Sequence, residues 1–362
     1  MTGPASVVTV TTMAPPLLEL RGVFRHFVRP LDVAARIANF FAAHASAAGN
    51  EVVRAVDGVD LAIAEGEVVG LVGESGCGKS TLGRIAVGLI EPTNGARHWR
   101  GRDVATLAAG ERRAARLAIQ MVFQDPYASL NPRMSVEDIV GEAPVVHGIV
   151  PGAGRRDYVA AILERVGLDA SIMRRFPHAF SGGQRSRIGI ARALAVRPSL
   201  LVCDEAVAAL DVSIQAQVLN LFMALREELK LTYLFISHDL GVVRHLCDRV
   251  VIMYLGRIVE TAPTEELFRA PNHPYTQALL AEVPRIDSRR RTYAPVHGEI
   301  PSPLAPPPGC HFHPRCPQAM PRCRTEQPKL VEIAPLRYSA CHLNNEPAAK
   351  HVDKSYYGKA LE

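Results

Sequence analysis

Val68-Val69-Gly70-Leu71-Val72-Gly73-Glu74-Ser75-Gly76-Cys77-Gly78-Lys79-Ser80 decides how the rest of the chain is read. Val68 to Val72 is an apolar run of strand length. The glycine-rich segment Gly73-x4-Gly78-Lys79-Ser80 follows. Thr81 to Ile90 then continues with helix-compatible residues up to the turn at Glu91-Pro92-Thr93-Asn94-Gly95. In a strand–loop–helix of this kind the glycines let backbone N–H groups curl around phosphates, the lysine contacts the outer phosphates, and the hydroxyl reaches Mg²⁺. Gly73, Glu74, Ser75, Gly76, Cys77, Gly78, Lys79, Ser80 and Thr81 are therefore candidate ATP-binding residues. A chance glycine-rich turn is the competing reading, and it loses force with each further motif that fits the same site.

Two more apolar runs, Leu200 to Cys203 and Tyr233 to Ile236, read as buried strands ending in polar residues at their carboxyl edges. After the first come Asp204 and Glu205, placed to hold the Mg²⁺ shell and to polarise an attacking water. By themselves they are an ordinary acidic strand end; with the loop they form a second wall of one phosphate site. Phe180-Ser181-Gly182-Gly183-Gln184 opens a helix whose exposed N–H groups and Ser181 hydroxyl suit an anion, though a simple helix cap reads the same way. Leu17 to Arg21 and Val52 to Ile63 read as strands separated by an Ala-rich helix or loop. Between Gln124 and Ser181 the strand signal fades, and Val159, Ile162, Leu163 and Val166 share one helical face.

The chain has 362 residues, 48% hydrophobic and 21% charged, which suits one large α/β core with an appendage. Its net charge of +5 is spread in short groups such as Arg112, Arg113 and Arg116, which argues for a solvated surface over a nucleic-acid groove. Met1 to Pro16 lacks the pattern of a secretory signal. Ile37 to Ala48 is too short and too polar to cross a bilayer, so membrane attachment is expected only through a partner. Beyond about Arg285 the composition turns to Pro, Arg and Cys, with Pro301, Pro303 and Pro306 to Pro308 opposing regular structure.

With these motifs on one chain, the sequence resembles the ABC ATPase family from about Leu17 onward, Ser181-Gly182-Gly183-Gln184 matching its signature. The fold this implies is α/β. It has a P-loop core of ABC type, an antiparallel β subdomain, a helical subdomain over about 124–180, and a small Cys-rich C-terminal module. The expected division is a tail at 1–16, the nucleotide-binding domain at 17–284, the Cys-rich module at 285–343 and a tail at 344–362. By the same resemblance Gln124 senses Mg²⁺ and the membrane subunit, Asp211 contacts the dimer partner, and His238 is the switch near the γ-phosphate. Glu205, His238 and Lys79 are then the catalytic set, with Ser80, Gln124 and Asp204 around Mg²⁺. Phe27 falls where relatives present an aromatic to adenine; the neighbouring His26 is the alternative, and a core-filling Phe a third reading. Ala206 and Ala208 stand where relatives usually have Pro and Ser, and neither change removes a catalytic group.

Val122-Phe123-Gln124-Asp125-Pro126-Tyr127-Ala128-Ser129-Leu130-Asn131-Pro132-Arg133 and Gly309-Cys310-His311-Phe312-His313-Pro314-Arg315-Cys316-Pro317 narrow the resemblance to oligopeptide and dipeptide importer ATPases. The closer likeness is to the second of that system's two ATPase subunits. This implies a heterodimer with a homologous ATPase subunit beneath two transmembrane permease subunits, fed by an extracytoplasmic substrate-binding protein. The chain would then sit peripherally on the cytoplasmic face of the membrane. Nickel, glutathione or another small solute stays open as the cargo. Cys310, Cys316, Cys323 and Cys341, separated by five, six and seventeen residues, suffice for tetrahedral zinc or an iron–sulfur cluster. Members of that importer group can carry a 4Fe-4S cluster, which favours it over zinc, with unligated thiols third. Rival functions are a soluble ABC ATPase on ribosomes or DNA, which usually shows tandem halves, a coiled-coil insertion or a basic arm, and a metal-binding regulator with a decayed nucleotide site. The first lacks its features here; intact Lys79, Asp204, Glu205 and His238 oppose the second.

Overall fold

The computed structural model describes residues 15–29, 51–282 and 298–345. The expected Ala-rich helix or loop, the boundary near Arg285 and most of both tails lie outside the described residues.

In chain order the elements begin with β1 (Leu18–Arg29), β2 (Glu51–Ile63), β3 (Val68–Val72), α1 (Lys79–Val87), β4 (Asn94–Trp99), β5 (Arg102–Asp103), α2 (Ala109–Ala118) and β6 (Ile119–Val122). Next come α3 (Val136–Val146), α4 (Arg155–Arg165), α5 (Gly182–Leu194), β7 (Leu200–Asp204), α6 (Val212–Leu229), β8 (Thr232–Ser237) and α7 (Leu240–Leu246). The chain closes with β9 (Arg249–Tyr254), β10 (Arg257–Pro263), α8 (Thr264–Arg269), α9 (Pro274–Ala281), β11 (Val331–Ala334) and β12 (Arg337–Ser339).

β1, β2, β4 and β5 form an antiparallel sheet in the order β2-β1-β4-β5. In β2, buried Val59, Leu61 and Ile63 alternate with exposed Gly58, Asp60 and Ala62, the signature of a strand covering a core on one face. β1 runs well past the expected end at Arg21. Gly22, at φ 51°, is absorbed as an irregularity, and the ladder resumes at Val23.

The second sheet has the order β11-β12-β10-β9-β3-β8-β7-β6, parallel from β9 to β6 and antiparallel beyond β9. Its central strands are buried on both faces, which explains their unbroken apolar runs. Val69 and Leu71 of β3, Val202 of β7, and Leu234 and Ile236 of β8 pack with Leu82 and Ile85 of α1 and with the small sheet. On the opposite face lie Val68 and Val72, Leu201 and Cys203, and Tyr233 and Phe235, covered by α5, α6, α7 and α9. Each such side chain stabilises the fold by about 1.5 to 3 kcal/mol relative to exposure. That two-sided burial fixes β3, β7 and β8 side by side and aligns their carboxyl ends.

The helical stretch after Gln124 is present. α4 buries Val159, Ile162 and Leu163 on one face, and Val166 caps its end, itself buried. The late segment is joined to the main sheet: β12 pairs with β10 through Glu260↔Ser339 and Thr261↔Tyr338, and β11 pairs with β12. Phe312 is 1% exposed, its ring set against Tyr254, Tyr275 and His273.

Candidate functional site

The phosphate loop takes the shape its glycines allow. Gly76 and Gly78 have φ of 79° and 107°, in the left-handed region that side chains disfavour. A Cβ at Gly78 would also collide with the carbonyl oxygen of Ala55. Gly78 then caps α1 with no side-chain partner, leaving the first N–H groups of the helix open to an anion. Lys79 is 4% exposed, and its Nζ donates to the carbonyl oxygens of Gly73 at 2.7 Å and Glu74 at 3.0 Å. The ammonium is thus held across the loop.

The carboxyl ends of the neighbouring parallel strands supply the facing wall. Asp204, the last residue of β7, accepts from the Ser80 hydroxyl at 2.8 Å. Burial raises the Asp204 carboxyl above its ordinary value, partly offset by the Ser80 hydrogen bond. A carboxylate beside a hydroxyl is a hard-oxygen donor pair of the kind Mg²⁺ takes together with phosphate oxygens, so Ser80 and Asp204 fit the expected ion. Glu205 follows at φ 47°, a left-handed conformation costing a non-glycine residue about 1 kcal/mol. Its amide donates to the Ile236 carbonyl at 3.0 Å, which ties the strained residue to β8. The Gln124 Nε2 donates to Glu205 Oε2 at 2.8 Å, and His238 Nδ1 lies 3.4 Å from Oε1. The two polar groups just past β6 and β8 thus meet on the one carboxylate just past β7. Strain retained at a carboxylate facing a phosphate loop is the arrangement expected of a reacting group.

Other expected residues stand apart from this cluster. Ser181 and Gln184 form a capping box at the start of α5: the Ser181 Oγ accepts from the Gln184 amide at 3.3 Å, and the Gln184 Oε1 from the Ser181 amide at 3.1 Å. Among the described residues no hydrogen bond joins this segment to Gly73–Ser80. Ser181, Gly182 and Gln184 are exposed; Gly182 lies against Leu210 and Gly183 against Ile214, which places the segment beside the exposed Asp211. Phe27 lies at the far end of β1, 37% exposed, with the Arg25 guanidinium 4.6 Å above its ring. His26 turns to Asp57, at 3.6 Å.

Sequence reading missed the residues that hold the loop from outside. Tyr275 accepts from the Glu74 amide at 2.9 Å, Gly256 donates to the Cys77 carbonyl at 2.8 Å, and Arg315 forms a two-bond ion pair with Glu74. No spacing or periodicity relates positions 74 and 315, so only their burial together exposes the pairing.

The four late cysteines call for a correction. Cys310, Cys316, Cys323 and Cys341 are free thiols. Burial pushes Cys316 up to about 11 and Cys341 up to about 12, and the other cysteines nearby push in the same direction. Yet among the described residues no three His, Cys, Asp or Glu side chains converge on one point to hold a metal ion. Tetrahedral zinc, which needs that convergence, does not fit.

Comparison with known proteins agrees with this geometry. The family described as ABC transporter matches residues 56–208, and the one described as oligopeptide/dipeptide transporter, C-terminal region, matches residues 259–323. The oligopeptide transport ATP-binding protein AppF of Bacillus subtilis is 52% identical over 295 residues, 80% of this chain and 90% of its own. The probable peptide ABC transporter ATP-binding protein y4tS of Sinorhizobium fredii is 50% identical over 305 residues, 84% of this chain and 86% of its own. Among solved structures, the ATP-binding cassette MJ0796, a dimer in a post-hydrolysis state bound to ADP and Pi, aligns with a TM-score of 0.57 at 27% identity. That alignment covers 68% of this chain and 98% of the other. With its phosphate loop, its Asp204–Glu205 wall and relatives at this identity, the chain belongs to the ATP-binding proteins of ABC transporters, in the group with the oligopeptide/dipeptide C-terminal region.

Proposed function

We propose that this chain is the ATP-hydrolysing subunit of an importer of dipeptides or oligopeptides, working peripherally on the cytoplasmic face of the membrane. The observation that carries the reading is the convergence of Gln124 and His238 on Glu205 beside the Ser80–Asp204 pair, in a chain with close relatives named as peptide transport ATP-binding proteins. Lys79 neutralises the outer phosphates. Ser80 and Asp204 would hold Mg²⁺, which when bound would supply charge neutralisation on the phosphate oxygens. Glu205 takes the proton that water loses as its oxygen bonds to the γ-phosphorus and the bridging P–O bond breaks; Gln124 and His238 keep the carboxylate aimed.

In the assembled importer, Ser181–Gln184 and Asp211 act across an interface with a second, homologous ATPase subunit and complete that subunit's site. Phe27 stacks on adenine. Their exposure and their separation from this chain's own loop support the arrangement. Two permease subunits provide the membrane path; among the described residues of this chain no helix is long and apolar enough to cross a bilayer. An extracytoplasmic binding protein delivers the cargo. ATP binding favours the closed pair of ATPase subunits and hydrolysis releases it. The unit boundaries at 17–284 and 285–343 belong to the same reading.

A 4Fe-4S cluster on Cys310, Cys316, Cys323 and Cys341 is the finer assignment. It rests on four thiols close enough that the other three each raise the proton affinity of Cys341. Iron and acid-labile sulfide in anaerobically purified protein test it; their absence refutes it. For transport, the complex is reconstituted with its binding protein, and stimulation of ATP hydrolysis is measured with peptides, nickel and glutathione. Peptide-specific stimulation is expected, and stimulation by nickel or glutathione alone moves the cargo to that class.

A further inference from the structure

Glu74 is an odd residue for its place. A carboxylate in a loop that receives a triphosphate adds negative charge where the site needs positive. Its partner comes from 241 positions away: Arg315 Nη1 donates to Glu74 Oε2 at 2.7 Å and Nη2 to Oε1 at 2.9 Å, a forked, charge-assisted pair. The arginine side chain is 5% exposed and the glutamate 21%. The guanidinium cannot easily swing away, because it lies 5.9 Å from the Tyr254 ring centroid and 6.0 Å from that of Phe312, the residue that anchors this turn in the aromatic cluster. Glu74 has two further anchors: its amide donates to the Tyr275 hydroxyl, and its carbonyl accepts from Lys79 Nζ. Moving the Glu74 carboxylate therefore disturbs the carbonyl that seats the lysine.

We infer that Arg315 is a positioning residue for nucleotide binding. It acts through Glu74, cancelling that carboxylate's charge beside the triphosphate, without itself touching ATP. This deepens the ATP-site reading and rests on it. Through this pair the C-terminal region governs how tightly the phosphate loop binds nucleotide.

The test is calorimetric titration of MgATP into the full-length chain, with thermal unfolding alongside. Arg315→Ala leaves the carboxylate uncompensated and is expected to weaken MgATP binding about tenfold or more. Glu74→Gln removes the offending charge and is expected to lose at least about threefold less affinity than Arg315→Ala. The double variant returns to within about threefold of the parent even where its melting temperature stays lowered. A merely structural contact would weaken binding in both single variants and in the double. That pattern, or unchanged affinity in Arg315→Ala, overturns the inference. Arg315→Lys, which keeps the charge but loses the fork, should fall between parent and Arg315→Ala, and it serves if the alanine variant does not fold; parental affinity in Arg315→Lys with none lost in high salt also counts against the inference. Lys79→Ala is the separate control: retained affinity there sinks the ATP-site reading, whereas its loss with Arg315→Ala unaffected sinks only the positioning role.

Discussion

Replacing Glu205 with Gln isolates the step in which a proton leaves water. The change preserves shape: the side-chain amide oxygen still accepts from Gln124 Nε2, now at 2.8 Å, and the backbone at φ 47° carries the same strain as before. What disappears is the charge and the basicity. The contact with His238 at 3.4 Å involves a ring that is 59% exposed, so its loss has little effect on folding. Lys79, Ser80 and Asp204, the residues proposed to hold the phosphates and the ion, are untouched. A positioned general base contributes about 10²- to 10⁴-fold to rate. At 1.36 kcal/mol per decade, the barrier to hydrolysis rises by about 3 to 5 kcal/mol. The assay is steady-state phosphate release by the assembled complex, paired with MgATP binding to the same preparation. Turnover should fall by at least about a hundredfold while affinity stays within about threefold of the parent. Turnover above a third of the parental rate, or affinity falling in parallel with turnover, would refute the role given to Glu205.

Gly78→Ala should abolish MgATP binding and lower thermal stability, because a Cβ meets the Ala55 carbonyl and φ 107° is hostile to alanine; equilibrium binding and a thermal melt check both. Phe312→Ala removes a buried ring from the Tyr254–Tyr275–His273 cluster and should cost about 3 to 5 kcal/mol in urea unfolding, with a small loss showing that the late segment is not part of the core. His273 carries a pH dependence. Burial lowers it to about 4 from an unfolded value of 6.5, so between those values the unfolded chain takes up a proton the folded chain refuses. Stability from this residue is complete above pH 6.5 and declines toward pH 4 by up to about 1.4 kcal/mol per unit. His273→Asn keeps a side-chain acceptor for the Tyr275 amide at the start of α9, so urea unfolding at pH 7 and pH 5 should show a smaller acid loss than in the parent; equal losses count against the assignment.

The catalytic strands were legible because their information is local. Val68 to Val72, Leu200 to Asp204 and Thr232 to Ser237 are short apolar runs punctuated by glycine or acidic residues, and each became a strand within a residue of its expected limits. β6 and β9 were not foreseen. β6 is four residues long and follows directly on α2, while β9 is bounded by no strong turn residue at its start, so neither announces itself by pattern. The extension of β1 past Arg21 is held by pairing with β2 and β4, partners distant in sequence that the local pattern does not reveal.

By itself the sequence determined the chemistry of the site: the phosphate-binding turn, the acidic strand end and the signature segment each depend on residues adjacent in the chain. Tertiary structure alone decided three things: that β8 lies between β3 and β7, that Gln124 and His238 meet on Glu205, and that Arg315 reaches Glu74. The reason is physical. Backbone geometry over a few residues is set by steric limits and hydrogen bonding that the local sequence specifies. Which strand lies beside which, and which charge finds its partner across 241 positions, is set by burial of the whole chain at once.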